Sequence, residues 1–333
     1  MSIDPLNVLG SLKFFPDQCL QAWQASSKIN FSSKYKAVKN IAVCGMGGSR
    51  FTPRTVKELF RDRISLPYEI IDDYTLPAYV GKDTLVILSS YSGTTEEVIS
   101  CGHEAEKRGA KISQVTSKKI LDVPGYIFNP KQFNPCGQPR IGGGFLLFGH
   151  MGLLYSLGFL QIKETEITES LNFIRQNSGQ LINQAKNLAQ LLKDRYAFII
   201  TAEFLKGFGN GFANQINENS KMISDYRYIS ELNHHLMEGL KYPASLKNTA
   251  LFLFVNSKFY TPRIQKRFPL TEDVVQKQSI KTKTINLTGP SKLAQVLEAF
   301  TLSGFATYYL SQIYKIDPAS IPWVNYFKRQ LEK

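Results

Sequence analysis

The chain has 333 residues, a net charge of +13 and 43% hydrophobic residues. That length is more than one compact core usually fills and predicts two domains of about 150 residues each, while the apolar content excludes a disordered chain. The positive charge suits phosphorylated partners, but Lys and Arg are scattered in ones and twos, concentrated modestly at 107–119, 257–267 and 328–333. No basic stripe interleaved with aromatics speaks for nucleic acid.

In chain order, residues 5–25 carry a helical pattern, with Leu6, Val8, Leu9, Leu12, Phe15 and Leu20 loosely periodic. A short apolar strand at 39–44 runs into Gly45-Met46-Gly47-Gly48-Ser49, and a helix pattern from Val56 to Phe60 follows. Strands are expected at 68–71 and 84–89, a helix at 95–108, and further strands at 111–116 and 126–128. Residues 142–160 are apolar enough to raise a membrane span, but six glycines and His150 interrupt them, which favours a buried helix and no membrane role. The polar stretch 164–194 predicts a connecting helix pair. A second set of units follows, with strands at 195–201, 249–255 and 282–287, a helix from 207–211 through Met222, and another from Ser291 to about Leu310. Strands alternating with helices specify parallel sheets flanked by helices, an α/β doubly wound, flavodoxin-like class in two lobes. The expected division is 1–160, a connecting segment 161–194, and 195–333.

The four cysteines, Cys19, Cys44, Cys101 and Cys136, form no CxxC or Cys/His pattern. That predicts reduced thiols, no metal site and a cytoplasmic protein. The N-terminus, Met-Ser-Ile-Asp-Pro-Leu, lacks a basic segment followed by an apolar one, so no secretory signal is expected.

Gly45-Met46-Gly47-Gly48 between a strand and a helix, with Asp72 and Asp73 ending the next strand, invites a dinucleotide reading. The third glycine is missing, since Arg50 or Thr52 stands where helix–strand packing wants Gly or Ala. That reading also leaves the run Ser89-Ser90-Tyr91-Ser92-Gly93-Thr94-Thr95 without a role. Thr94 and Glu97 stand at capping-box spacing, yet a capping box needs one Ser or Thr hydroxyl and this run has five. Ser90, Ser92, Thr95 and the Gly93 backbone can surround a phosphate at a helix N-terminus, with Ser49 reaching the same point from the neighbouring strand.

Together with these residues, Pro139-Arg140, Asn217-Glu218-Asn219-Ser220-Lys221, Glu231-Leu232-Asn233-His234, Asp317-Pro318 and Phe327-Lys328 resemble, in order, the motifs of the bifunctional phosphoglucose/phosphomannose isomerases, sugar isomerases of the SIS fold. The resemblance covers nearly the whole chain and implies two SIS-type lobes and an aldose–ketose isomerase of hexose 6-phosphates working without cofactor or metal. It implies phosphate binding by Ser49, Ser90, Ser92 and Thr95, with backbone contacts from Gly47 and Gly48. Glu218 would be the base, Arg140 the cation for the enediolate, His234 the ring-opening group and Lys328 a lysine near the sugar. It further implies a homodimer in which His234 enters the neighbouring active site. His103 and His150 are assigned to structure.

The chain departs from the family at Arg50-Phe51-Thr52-Pro53-Arg54, where small aliphatic residues and a Gly-Asp pair are usual, at His235-Leu236, where Asn-Glu is usual, and at Thr94, where Asn is common. These differences bear on which C2 epimer is accepted. The alternative is a SIS-type protein that senses a phosphosugar without chemistry.

Overall fold

The computed structural model describes residues 3–332. Helices α1 (Val8–Lys13) and α2 (Phe15–Ser26) and the single turn α3 (Ser33–Lys36) precede five parallel strands: β1 (Asn40–Cys44), β2 (Tyr68–Ile71), β3 (Thr84–Ser90), β4 (Lys111–Thr116) and β5 (Gly125–Ile127). Their order is β2-β1-β3-β4-β5. The run Thr84–Ser90 is buried throughout because both faces of the sheet are covered. Ile41, Val43, Leu85 and Ile87 face one apolar cluster, and Ala42, Cys44, Val86 and Leu88 face the other. The covering helices are α4 (Gly48–Leu59), α5 (Glu96–Lys107) and α6 (Gly143–Ser156). α6 is apolar all round and packs against α2 as a buried helix. No helix among the described residues is long and apolar enough to cross a membrane.

The second lobe runs α7 (Glu164–Leu192), β6 (Tyr196–Thr201), α8 (Lys206–Ser220), β7 (Ser224–Tyr228), α9 (Leu246–Thr249), β8 (Ala250–Asn256), α10 (Pro262–Lys277), β9 (Lys281–Asn286), α11 (Lys292–Ile313) and α12 (Pro322–Leu331). Its sheet is parallel, in the order β7-β6-β8-β9. Three expectations need correction. The helix pair at 164–194 is one helix, because Ile167, Leu171, Ile174, Leu181, Leu188 and Leu192 keep one buried stripe that packs along α11. α4 starts at Gly48, eight residues before Val56, so that its first turn abuts the glycine-rich loop. β7 is a strand that the sequence did not suggest.

The lobes meet where α4 lies against α8. Gly207 and Gly211, four apart on one face of α8, allow the approach. A Cβ on Gly207 would run into the main chain of Thr55, and one on Gly211 would come within 3.0 Å of the rings of Phe51 and Phe300. Beside them Arg50 donates to Asn210 Oδ1 (3.0 Å), and Arg54 donates to the hydroxyls of Tyr226 (3.3 Å) and Tyr228 (2.6 Å).

In each sheet the strand order reverses beside its first strand, between β1 and β3 and between β6 and β8. The crevices at these two points are where α/β sheets bind ligands. They differ in content. In the first, the residues before α4 and α5 are Gly47 (φ 51°) and Thr95. In the second, the corresponding places hold Glu203 (φ 42°) and Thr261, the residue before α10. There the Glu203 carboxylate accepts from the Thr261 hydroxyl (2.6 Å) and amide (3.1 Å).

Candidate active site

The first crevice is built from two loops held in mutual register. Ser49 Oγ accepts the Tyr91 amide hydrogen at 2.9 Å, so its own proton stays available to an oxygen in the crevice. Ser90 Oγ accepts from the Gly93 amide (3.0 Å) and pairs with Thr95 Oγ1 (2.8 Å), while Ser92 Oγ accepts from Thr94 Oγ1 (2.9 Å). Gly93 adopts φ 72°, a conformation that glycine reaches without steric cost. Thr95 stands at the N-cap of α5 yet makes no side-chain cap bond, so the hydroxyls are not spent on capping. Glu96 turns to the Tyr74 hydroxyl (3.4 Å). The amides of Gly47 and Gly48 have no acceptor among the described residues.

Behind Ser49 lies a support that the sequence did not reveal. Ser89 Oγ donates to Ser49 O (2.7 Å), and His150 Nε2 lies 2.9 Å from Ser89 Oγ. Since the one Ser89 proton goes to Ser49 O, His150 must be the Nε2–H tautomer donating to Ser89. Its burial pushes the imidazole pKa down to about 3. Through Ser89 this side chain supports the turn that carries Ser49.

A Cβ on Gly48 would lie 3.6–3.7 Å from the Pro139–Arg140 main chain, so the glycine-rich loop adjoins the charged part of the site. Arg140 is almost wholly buried, its side chain 2% exposed, and places all five N–H groups on protein acceptors. Nε donates to Asn219 Oδ1 (2.5 Å), Nη1 to Gln138 Oε1 (2.8 Å) and Glu218 Oε2 (3.1 Å), and Nη2 to the carbonyls of Pro318 (2.7 Å) and Ala319 (3.1 Å). Burial draws the pKa of Arg140 down and the Glu218 charge opposes it; a guanidinium so placed remains a cation. The Glu218 side chain is 34% exposed, because it stands in the last turn of α8 at the open mouth of the crevice.

The chain therefore brings together Gly47, Gly48, Ser49, Ser90, Ser92, Thr95, Arg140 and Glu218. His234 ends the turn Glu231–His234 after β7, exposed and without a hydrogen bond or ion pair to this group. Lys328 lies on α12, none of whose residues is buried. Gln138, and the carbonyls that hold Arg140, escaped sequence reasoning; Asn219 had only its place beside Glu218 as a signal. Among the described residues no cluster of His, Cys, Asp and Glu is suited to a metal ion.

Comparison with known proteins bears on the fold and on the chain's relatives. Residues 181–331 match the bacterial phospho-glucose isomerase C-terminal SIS domain. A bifunctional phosphoglucose/phosphomannose isomerase of Caldicellulosiruptor bescii is 27% identical over 95% of this chain and 96% of its own, and one of Aquifex aeolicus 27% over 89% and 91%. A D-glucosamine-6-phosphate 4-epimerase of Sulfolobus acidocaldarius is 25% identical over 61% of this chain and 64% of its own. Among solved structures, the C-terminal domain of glucosamine-fructose-6-phosphate aminotransferase from Francisella tularensis has the same fold, with a TM-score of 0.66 at 12% identity, covering 92% of this chain and 94% of that one. The two parallel sheets and these matches point the same way: the fold is that of the SIS phosphosugar isomerases, the second lobe matches the bacterial phospho-glucose isomerase SIS domain, and nearly the whole chain is similar to the bifunctional phosphoglucose/phosphomannose isomerases.

Proposed function

We propose that the protein is an aldose–ketose isomerase interconverting fructose 6-phosphate with glucose 6-phosphate and, through the same intermediate, with mannose 6-phosphate. The observation that carries this reading is the Glu218 carboxylate, partly exposed and 3.1 Å from the buried Arg140 cation, whose main chain adjoins the glycine-rich loop. Starting from the aldose, Glu218 takes the C2 proton, and the C2–H electron pair forms the C1–C2 double bond as the C1 carbonyl oxygen becomes the enediolate oxyanion. A proton passes between O2 and O1, and Glu218 returns its proton to C1. Arg140 suits this sequence because its charge is fixed. As Glu218 is neutralised, Nη1–H loses a charged partner just as negative charge appears on the sugar. Ser49, Ser90, Ser92 and Thr95, with the amides of Gly47 and Gly48, would hold the phosphate. Ring opening by His234 and a contact from Lys328 complete the reading, and the exposure of His234 in the single chain favours its action across a homodimer. These steps call for neither metal nor organic cofactor.

The test is a coupled assay with fructose 6-phosphate, read for both aldose products. Glu218→Gln keeps the shape and removes the base, so kcat is expected to fall by about 10³ with KM nearly unchanged. Full turnover in that variant, or none in the native protein, overturns the assignment. The second outcome, with phosphosugar binding retained, would favour a sensing protein.

A further inference from the structure

The Asp317-Pro318-Ala319 turn is held from two sides by cations of the site. Arg140 Nη2 donates to the Pro318 and Ala319 carbonyls, and Lys221 Nζ donates to the Asp317 carbonyl at 2.6 Å. The Ala319 amide closes the turn on Asp317 Oδ1 (2.8 Å). Pro318 and Ala319 are buried, whereas α12, which begins three residues later, has no buried residue. Three successive carbonyls thus tie an otherwise exposed helix to the crevice. Lys221 ends α8 in the left-handed region (φ 51°), a place more easily filled by glycine, three residues after Glu218.

We propose that Lys221 is a positioning residue: with Arg140 it clamps the Asp317–Ala319 turn and so fixes the C-terminal helix, and Lys328 on it, relative to the active site. The kinetic consequence rests on the isomerase reading; the clamp itself does not. Charged groups facing Lys221 are Arg140 before α6, Glu218 on α8 and Asp317 in the turn. Partial desolvation, then Arg140, push its pKa down to about 8, against Asp317 and Glu218. Below that pH the ammonium makes a charge-assisted bond to Asp317 O; above it the neutral amine holds the carbonyl less strongly. The clamp therefore loosens as pH rises from 7 to 9.

Hydrogen exchange of the full chain, corrected for intrinsic rates and read by mass spectrometry, tests this. Lys221→Ala is expected to raise exchange in residues 317–331 by about tenfold and leave the sheets unchanged, with Lys221→Arg restoring protection. In the native protein, corrected exchange of the same segment should rise between pH 7 and 9, and in Lys221→Arg it should not. An alkaline limb near pH 8 in kcat/KM should move upward by more than one unit in Lys221→Arg. Equal protection of 317–331 in the native protein and Lys221→Ala, or protection indifferent to pH in the native protein, overturns the clamp. If Lys221→Ala does not fold, the pH series on the native protein and Lys221→Arg decides. Absence of isomerase turnover in the native protein would defeat the reaction assignment and leave the exchange result standing on its own.

Discussion

His150 shows how a single side chain ties site to stability. Folding keeps its imidazole neutral, with a pKa near 3, whereas the unfolded chain protonates it near 6.5. The folded pKa is depressed, so its contribution is complete above about pH 6.5 and is lost as pH falls toward 3. Between pH 7 and pH 5 the unfolding free energy should drop by about 2 kcal/mol on this account alone. Urea titrations at the two pH values should show the drop in the native protein and a smaller one in His150→Gln. At the same scale, Glu218 and Arg140 were legible because an ordered set of motifs named them. Their partners were less so, since every residue carries a carbonyl and nothing in the letters Pro318 and Ala319 marks theirs as acceptors.

Between elements, the seam of α4 and α8 joins the helix that starts at the glycine-rich loop to the helix that carries Glu218. Gly207→Val would drive a side chain into the Thr55 main chain, which cannot swing aside, and should cost about 2–3 kcal/mol. Gly179 on α7 is the contrast: a Cβ there meets nothing within 4 Å, so Gly179→Ala should stabilise by about 0.5–1 kcal/mol. Denaturant midpoints of the two variants should move in opposite directions. Buried strands such as Thr84–Ser90 were legible as unbroken apolar runs. β7 was not: Ser224-Asp225-Tyr226-Arg227-Tyr228 is an edge strand of polar and amphipathic residues, paired on one side only, with Arg54 of the other lobe on its tyrosine hydroxyls. The long α7 was misread as a pair because its polar face hides a stripe that only α11 explains.

At the scale of the molecule, the residues left outside the crevice share one property. His234 and Lys328 are exposed, and α12 offers Trp323 (80% exposed), Tyr326 and Phe327 to solvent. If His234 serves the neighbouring subunit, two inactive variants should complement each other. Mixing Glu218→Gln with His234→Ala and allowing exchange leaves half the dimers mixed, each with one intact site. Activity should recover to about a quarter of the native value. No recovery, with exchange verified by mass, would place His234 in its own subunit's site or outside the chemistry.

The carboxylate of Glu203 carries a consequence for stoichiometry. The second crevice already contains an anion covalently part of the chain, seated on the hydroxyl and amide of Thr261. A free phosphate would have to evict a tethered competitor whose local concentration no ligand in solution matches. Calorimetric titration of the Glu218→Gln variant with glucose 6-phosphate should therefore saturate at one ligand per chain. Of two lobes built alike, one is left to take a guest and the other brought its own.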